Sequence, residues 1–417
     1  MKNKIAILLF SFLFVFIISV SATTRKVLFI GNSYTYTNNM PLIVDSIANA
    51  MGDTLLFDSR TVGGYTLQQH STDSVTINKI FSQQWDIVII QEQSQMPAFP
   101  PAEVDTEVYP YARKLDSFVH ANDTCTQTMF MMTWGHANGD PTNCTTYPVI
   151  CTYDGMQERL RESYLQMATD NHADVIPVGS AFKIMMDSAY SPWLYSPDSS
   201  HPVVAGSYLQ SCVVYSSIFH KSTRNCLYYD GLSNTEASLL QRIATKVVFD
   251  SINLWQATGH YPYAGFVKTG FLSFRNFNST SPIICNHYWL FDDGTHDTST
   301  NSNHSFGMGT HIITHTVFTN CFSETIVDTV IVPESVEKYI KTENYIKIAQ
   351  LNNGNILFNF LTNDYNQIEI FDMKASLIKT YTLNTKYLQD NFIKGLYVYK
   401  LLSDKGYETI IDKLIVY

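Results

Sequence analysis

The stretch Val27-Leu28-Phe29-Ile30-Gly31-Asn32-Ser33 decides the reading of this chain. Four consecutive apolar residues read as a strand buried on both faces. Gly31 lets the chain turn sharply where the strand ends. A helical period then follows, marked by Leu42, Ile43, Ile47 and Met51. A serine at the turn between a buried strand and a helix exposes its hydroxyl above the carboxyl end of a parallel sheet, where α/β enzymes keep their chemistry.

Further along, Leu55–Phe57, Asp86–Ile90, Thr128–Thr133 and Asp174–Val178 repeat the buried-strand pattern. Helical periods lie between them, such as Met156, Leu160, Tyr164 and Met167, and Thr235–Trp255 reads as a closing helix. Alternation of this kind implies a parallel sheet wrapped by helices. A serine is a poor nucleophile without a base to take its proton and a third group to orient that base. Ser196-Pro197-Asp198-Ser199-Ser200-His201-Pro202 supplies both, because a D-x-x-H spacing lets one loop present a carboxylate to an imidazole. The expected roles are Ser33 as nucleophile, His201 as general base and Asp198 as its orienting carboxylate.

A nucleophile near the start and D-x-x-H near the end is the order of SGNH (GDSL-type) hydrolases, and residues 23–260 resemble that family. The resemblance implies a three-layer α/β/α, flavodoxin-like domain with a parallel sheet. It also implies an oxyanion hole formed by the Ser33 amide, a glycine amide after the second strand and a side-chain amide after the third. Val62-Gly63-Gly64-Tyr65 offers two glycines, of which Gly64 is favoured. The third strand runs into Gln91-Glu92-Gln93-Ser94, without the family's G-x-N-D. A glutamine can donate the same hydrogen bond, and Gln91 matches the glutamine of the Q-G-E block in carbohydrate esterases resembling sialate-O-acetylesterases. The chain also resembles a Bacteroidota subset with G-N-S-Y-T, Q-E-Q-S and H-P-x-x-x-G-S-Y-L blocks, here Gly31–Thr35, Gln91–Ser94 and His201–Leu209. Trp134 is a candidate substrate contact for a sugar ring or acyl group, or else a core aromatic. Tyr34 is a second candidate contact, or else a packing group opening the nucleophile helix. His70 and His136 are candidates to line the pocket. No C-x-x-C pair suggests zinc, and no cofactor is implied.

The 417 residues exceed one ordinary core, and 45% hydrophobic content supports packed domains. A net charge of −10 argues against nucleic acid as a partner. Lys2 and Lys4 precede an apolar run from Ile5 to Val20, and small residues fit a leader cut after Ala22, so residues 1–22 read as a signal peptide. Export makes disulfides expected among the seven cysteines: Cys144–Cys151, Cys212–Cys226 and Cys285–Cys321, with Cys125 free.

After Gly259 the helical periods stop. Tyr288-Trp289-Leu290-Phe291-Asp292-Asp293-Gly294, His304-Ser305-Phe306 and Gly309-Thr310-His311 resemble a PKD-type immunoglobulin-like domain over 264–333. Pro333–Lys341 reads as a charged linker. Residues 338–417, with Lys394-Gly395-Leu396-Tyr397 and a terminal Lys413-Leu414-Ile415-Val416, resemble the C-terminal sorting domain of the type IX secretion system. Both tail modules are therefore expected to be small all-β sandwiches, with the type IX machinery as partner and the cell surface or exterior as destination. The functional expectation is a secreted esterase acting on acyl, above all O-acetyl, esters of carbohydrate. The rival is a non-catalytic glycan-binding or adhesin protein on a hydrolase fold.

Overall fold

The computed structural model describes residues 22–416 apart from 189–191, 257–258, 260, 272–273, 333–335, 343–345, 352–354, 363, 384–386 and 404–408. The leader thus lies outside the described residues except for Ala22. Five strands, β1 (Thr24–Gly31), β2 (Thr54–Thr61), β3 (Ile87–Ile90), β4 (Gln127–Met131) and β5 (Asp174–Ile176), form one sheet in the order β2-β1-β3-β4-β5. Every pairing in it is parallel. The order reverses between β1 and β3, the topological switch point at which open α/β sheets bind ligands.

The alternation of side chains along each strand explains why the runs are apolar throughout. Val27, Phe29, Ile87, Ile89, Met129 and Met131 enter one core. Leu28, Ile30, Val88, Ile90, Phe130 and Val175 enter the other. Helices α1 (Ser33–Tyr36), α2 (Met40–Ala50), α3 (Leu67–His70), α4 (Ser74–Ile80), α5 (Pro101–Glu107), α6 (Tyr109–Asn122), α7 (Tyr153–Asn171), α8 (Val178–Ser188), α9 (Val204–Phe219) and α10 (Asn234–Phe249) complete the layers. Ile43, Ile47, Phe182, Val213 and Ala244 cover the first face from α2, α8, α9 and α10. Ile80, Leu115, Val119, Leu160 and Tyr164 cover the second from α4, α6 and α7.

Two helices depart from expectation. The closing helix stops at Phe249, because Ser251 leaves helical backbone, and Ile252–Trp255 forms a separate turn. Helix α9 is buried at every position from Ala205 to Phe219. Serine, glutamine and tyrosine interrupt its apolar residues, which blurs any one-sided stripe.

The remainder is all-β. Seven strands from Phe266–Phe271 to Ser323–Val332 make a three-stranded and a four-stranded sheet. Phe277, Trp289, Phe291, Ile313 and Val330 from both sheets share its core. Eight strands from Val336–Thr342 to Ile410–Val416 make two four-stranded sheets around Ile348, Phe358, Ile370, Tyr399 and Leu414. Val336–Thr342, read as linker, is a strand paired with Ile346–Leu351.

The chain divides into two compact units. One runs to Tyr263 and includes Ser281–Cys285 and Phe318–Ser323; the other comprises Ala264–Thr280, Asn286–Val317 and Glu324–Tyr417. The disulfides correct the expected pairing. Cys144–Cys151 is bonded, but Cys321 joins Cys125, so Cys212, Cys226 and Cys285 remain thiols. Cys321 packs at the edge of the first core, within reach of Cys125, and the Cys285 thiol instead meets Ser281 Oγ at 3.4 Å.

Candidate active site

Ser33 is the first residue of α1, at the carboxyl end of β1. Asn32 caps this helix by accepting from the Tyr34 amide at 3.1 Å, while its Nδ2 donates to Tyr65 O at 2.9 Å. The glycine before it is required by close packing. A Cβ on Gly31 would stand 2.5 Å from Thr35 Oγ1 and 2.6 Å from Gln91 Oε1.

The structure brings Ser33, His201 and Asp198 together across 165 or more residues of chain. Ser33 Oγ lies 2.8 Å from His201 Nε2, and His201 Nδ1 lies 2.6 Å from Asp198 Oδ2. In the neutral imidazole this arrangement puts the proton on Nδ1, donated to Asp198, and leaves Nε2 to accept the serine hydroxyl. Asp198 Oδ1 accepts the Ser200 and His201 amides at 3.0 and 2.9 Å, which fixes the carboxylate on the loop. Burial raises the Asp198 pKa, but the Ser200 amide, the His201 ring and the His201 amide together hold it below its ordinary value.

The loop carrying Asp198 and His201 is held at base and tip. At the base, the Ser196 amide donates to His201 O at 2.8 Å and the Val203 amide to Leu194 O at 2.9 Å. At the tip, Ser199 takes a left-handed backbone with φ of 59°. The Ala137 amide donates to Ser199 O at 2.8 Å, and Trp134 Nε1 donates to Ser200 O at 3.0 Å. Tyr34 Oη meets Ser200 Oγ at 2.5 Å. Ser200 carries no signal in the sequence beyond its place between Asp198 and His201.

Trp134 and Tyr34 are corrected as substrate contacts. Trp134 is 0% exposed and Tyr34 2%. Their rings stack on each other at 4.5 Å, and the Trp134 ring also stacks on Phe182 at 4.3 Å. Neither ring has a free face for a sugar; both support the loop bearing Asp198 and His201. The edge of Tyr34 also meets the His201 ring at 5.4 Å.

Gln91 is corrected as an oxyanion donor. Its side chain is fully buried beneath the nucleophile turn. Oε1 accepts from the Asn32 amide at 3.0 Å and from Thr35 Oγ1 at 2.8 Å. Nε2 donates to Asn32 Oδ1 at 3.0 Å and to Glu92 O, so both amide hydrogens are committed. Gln93, two residues on, is half-buried. Its Oε1 accepts the Gln95 and Met96 amides at 3.0 and 3.1 Å, and Nε2 gives one hydrogen to Ser94 Oγ at 3.3 Å. The second hydrogen is unspent. Ser33 and Gln93 each stand three residues beyond the paired Ile30 and Ile90. Gly64 is exposed with φ of 72°, and among the described residues neither its amide nor that of Ser33 meets a hydrogen-bond acceptor.

His70 is not exposed to line a pocket. It is fully buried, with Nε2 2.9 Å from Gly31 O and Nδ1 2.9 Å from Thr76 Oγ1, and burial lowers it to about 4. It buttresses the turn from below. His136 is partly buried near Asp198 and His201, and burial lowers its pKa. Glu92, also fully buried, accepts from the Leu67 amide at 3.0 Å and from the Gln93 amide at 2.5 Å, and burial raises it to about 8. A surface hollow of about 490 Å³ on α5, α6 and α7 contains no triad residue. Its Arg113 pairs with Asp170 and its Arg159 with Glu162.

No protein-family profile and no curated protein sequence matches the chain. Several solved structures are similar to it. A DUF4886 family protein from Bacteroides uniformis is 17% identical with a TM-score of 0.46, over 54% of this chain and 96% of its own. A Slackia heliotrinireducens protein proposed to be an SGNH hydrolase is 24% identical with a TM-score of 0.39, over 47% and 99%. The acetyl xylan esterase AlAXEase is 16% identical with a TM-score of 0.32, over 46% and 99%.

Proposed function

We propose that this chain is an exported serine esterase that removes short acyl groups, above all acetyl, from carbohydrate. The observation that carries this reading is the run of contacts from Ser33 Oγ through the His201 ring to Asp198. In the proposed cycle Ser33 Oγ attacks the ester carbonyl while His201 Nε2 takes its proton. His201 then hands that proton to the departing alcohol. Water, activated by the same imidazole, attacks the acyl-serine and releases the carboxylic acid. Asp198 holds the ring in the required tautomer throughout. The oxyanion of each tetrahedral intermediate receives the Ser33 amide, the Gly64 amide and the free Nε2 hydrogen of Gln93.

The openness of the site supports this substrate class. The His201 and Asp198 side chains are 39% and 50% exposed. A triad so open suits an ester hanging from a bulky chain. Export rests on the leader at residues 1–22, and delivery to the surface on the resemblance of 338–417 to a type IX sorting domain. The PKD-like module at 264–333 belongs to the same surface reading.

The test is a hydrolysis screen of acetyl-xylan, O-acetyl sialate and nitrophenyl esters from acetate to decanoate. The reading expects turnover of acetyl esters that falls with acyl length and is abolished in Ser33→Ala. Preference for long acyl chains would contradict the substrate class. Absence of any hydrolysis by folded protein would contradict the esterase.

A further inference from the structure

Asp53 is a buried carboxylate outside the catalytic machinery. Its side chain is 0% exposed, and it follows the turn that closes α2 onto β2. Oδ2 accepts from Tyr215 Oη on α9 at 2.7 Å. Oδ1 lies 2.6 Å from Lys221 Nζ and accepts the backbone N–H of Thr23 at 2.8 Å. Thr23 O in turn accepts the Thr54 amide at 2.9 Å, so both the N–H and the carbonyl of this residue are held. Ala22, immediately before it, is exposed.

We propose that Asp53 is the receptor for the α-ammonium group of Thr23, created when the leader is removed after Ala22. The proposal rests on the export reading above. The Ala22–Thr23 peptide bond is hydrolysed by a leader peptidase: water supplies hydroxyl to the Ala22 carbonyl carbon and hydrogen to the Thr23 nitrogen. At neutral pH that nitrogen takes a further proton. The same nitrogen, already in place against Asp53 Oδ1, then carries a positive charge. A neutral amide hydrogen bond becomes a charge-assisted one, roughly twice as strong. Maturation thereby clamps β1, the strand that leads into the turn bearing Ser33, to the α2–β2 turn and to α9.

The charged and titratable groups placed against Asp53 are Lys221 and the Tyr215 hydroxyl. A free α-amine titrates near 8, and a buried carboxylate partner raises it in the folded state. The added stability is therefore fully present below about pH 8 and is lost as pH rises through the raised value.

The test compares two full-length chains released from a removable fusion. One begins at Thr23; the other begins at Val20 and keeps an amide at Thr23. At pH 6 the Thr23 chain should melt about 3–6 °C higher, a shift of the size expected for one such contact. The gap should close at strongly alkaline pH. Asp53→Asn should abolish it. Lys221→Gln, which leaves Thr23 as the remaining cation on Oδ1, should widen it. Equal midpoints at pH 6, or a gap indifferent to Asp53→Asn, would overturn the proposal. N-terminal sequencing of protein exported by a native-type host tests the cut separately. A mature terminus other than Thr23 would overturn the link to processing.

Discussion

Gln91 and Gln93 stand two residues apart on one turn, and their hydrogen bonds assign them different work. Gln91 spends both amide hydrogens and its carbonyl on Asn32, Thr35 and Glu92 O. Gln91→Ala should therefore lower the melting midpoint and kcat together, because it strands buried polar groups worth about 1–3 kcal/mol each. Gln93 keeps one hydrogen free. Gln93→Ala should lower kcat by roughly 10²–10³ with KM and melting unchanged, as for loss of one oxyanion donor. An unchanged kcat would move the third donor to a backbone amide. Between them, Glu92 is raised by burial from 4.5 to about 8. The folded state therefore binds a proton that the unfolded state releases, and stability falls as pH rises through that window. Glu92→Gln lacks this loss. Its melting midpoint relative to the parent should climb between pH 5 and pH 8, and a constant difference would show that Glu92 is ionised in the folded protein.

At the scale of elements, the aromatic stack of Tyr34, Trp134 and Phe182 ties the nucleophile helix to the loop bearing His201. Trp134→Ala should cost about 3–5 kcal/mol of stability and depress kcat as the loop loosens. Trp134→Phe keeps a stacked ring and loses the bond to Ser200 O, so it should cost only about 1 kcal/mol. Equal losses for both would place the effect in the indole hydrogen bond alone. The sheet was legible in the sequence because strands buried on both faces read as unbroken apolar runs, and Gly31-Asn32-Ser33 with Asp198 and His201 was legible because it is a local pattern. Helix α9 was not, since burial on all sides erases the one-sided period. The place of Trp134 at a strand end fits a substrate contact as well as a core aromatic and gives no sign of the two rings that cover it. Spacing alone does not reveal which glutamine amide, Gln91 or Gln93, the turn consumes.

At the scale of the whole chain, the Cys125–Cys321 bond spans 196 residues. Such a pairing leaves no local signature in the sequence. Closing so long a loop restricts the unfolded chain by about 5 kcal/mol in the entropic account. Residues 318–323 belong to the first compact unit, and the Phe322 ring lies tilted against Tyr261 there, with centroids 5.1 Å apart. A chain ending at Val332 should keep full esterase activity and the first unit's melting midpoint. One ending at Tyr263 loses Cys321 and Phe322 and should melt several degrees lower. Equal stability of the two would deny the bridge a structural role. The central claim concerns Ser33, and the most direct measurement is labelling of the whole protein with a fluorophosphonate followed by peptide mass spectrometry. The account predicts one adduct per chain, on Ser33, lost in Ser33→Ala and slowed by orders of magnitude in His201→Ala. Absence of an adduct on folded protein, or an adduct at Ser33 that forms equally fast without His201, would contradict it.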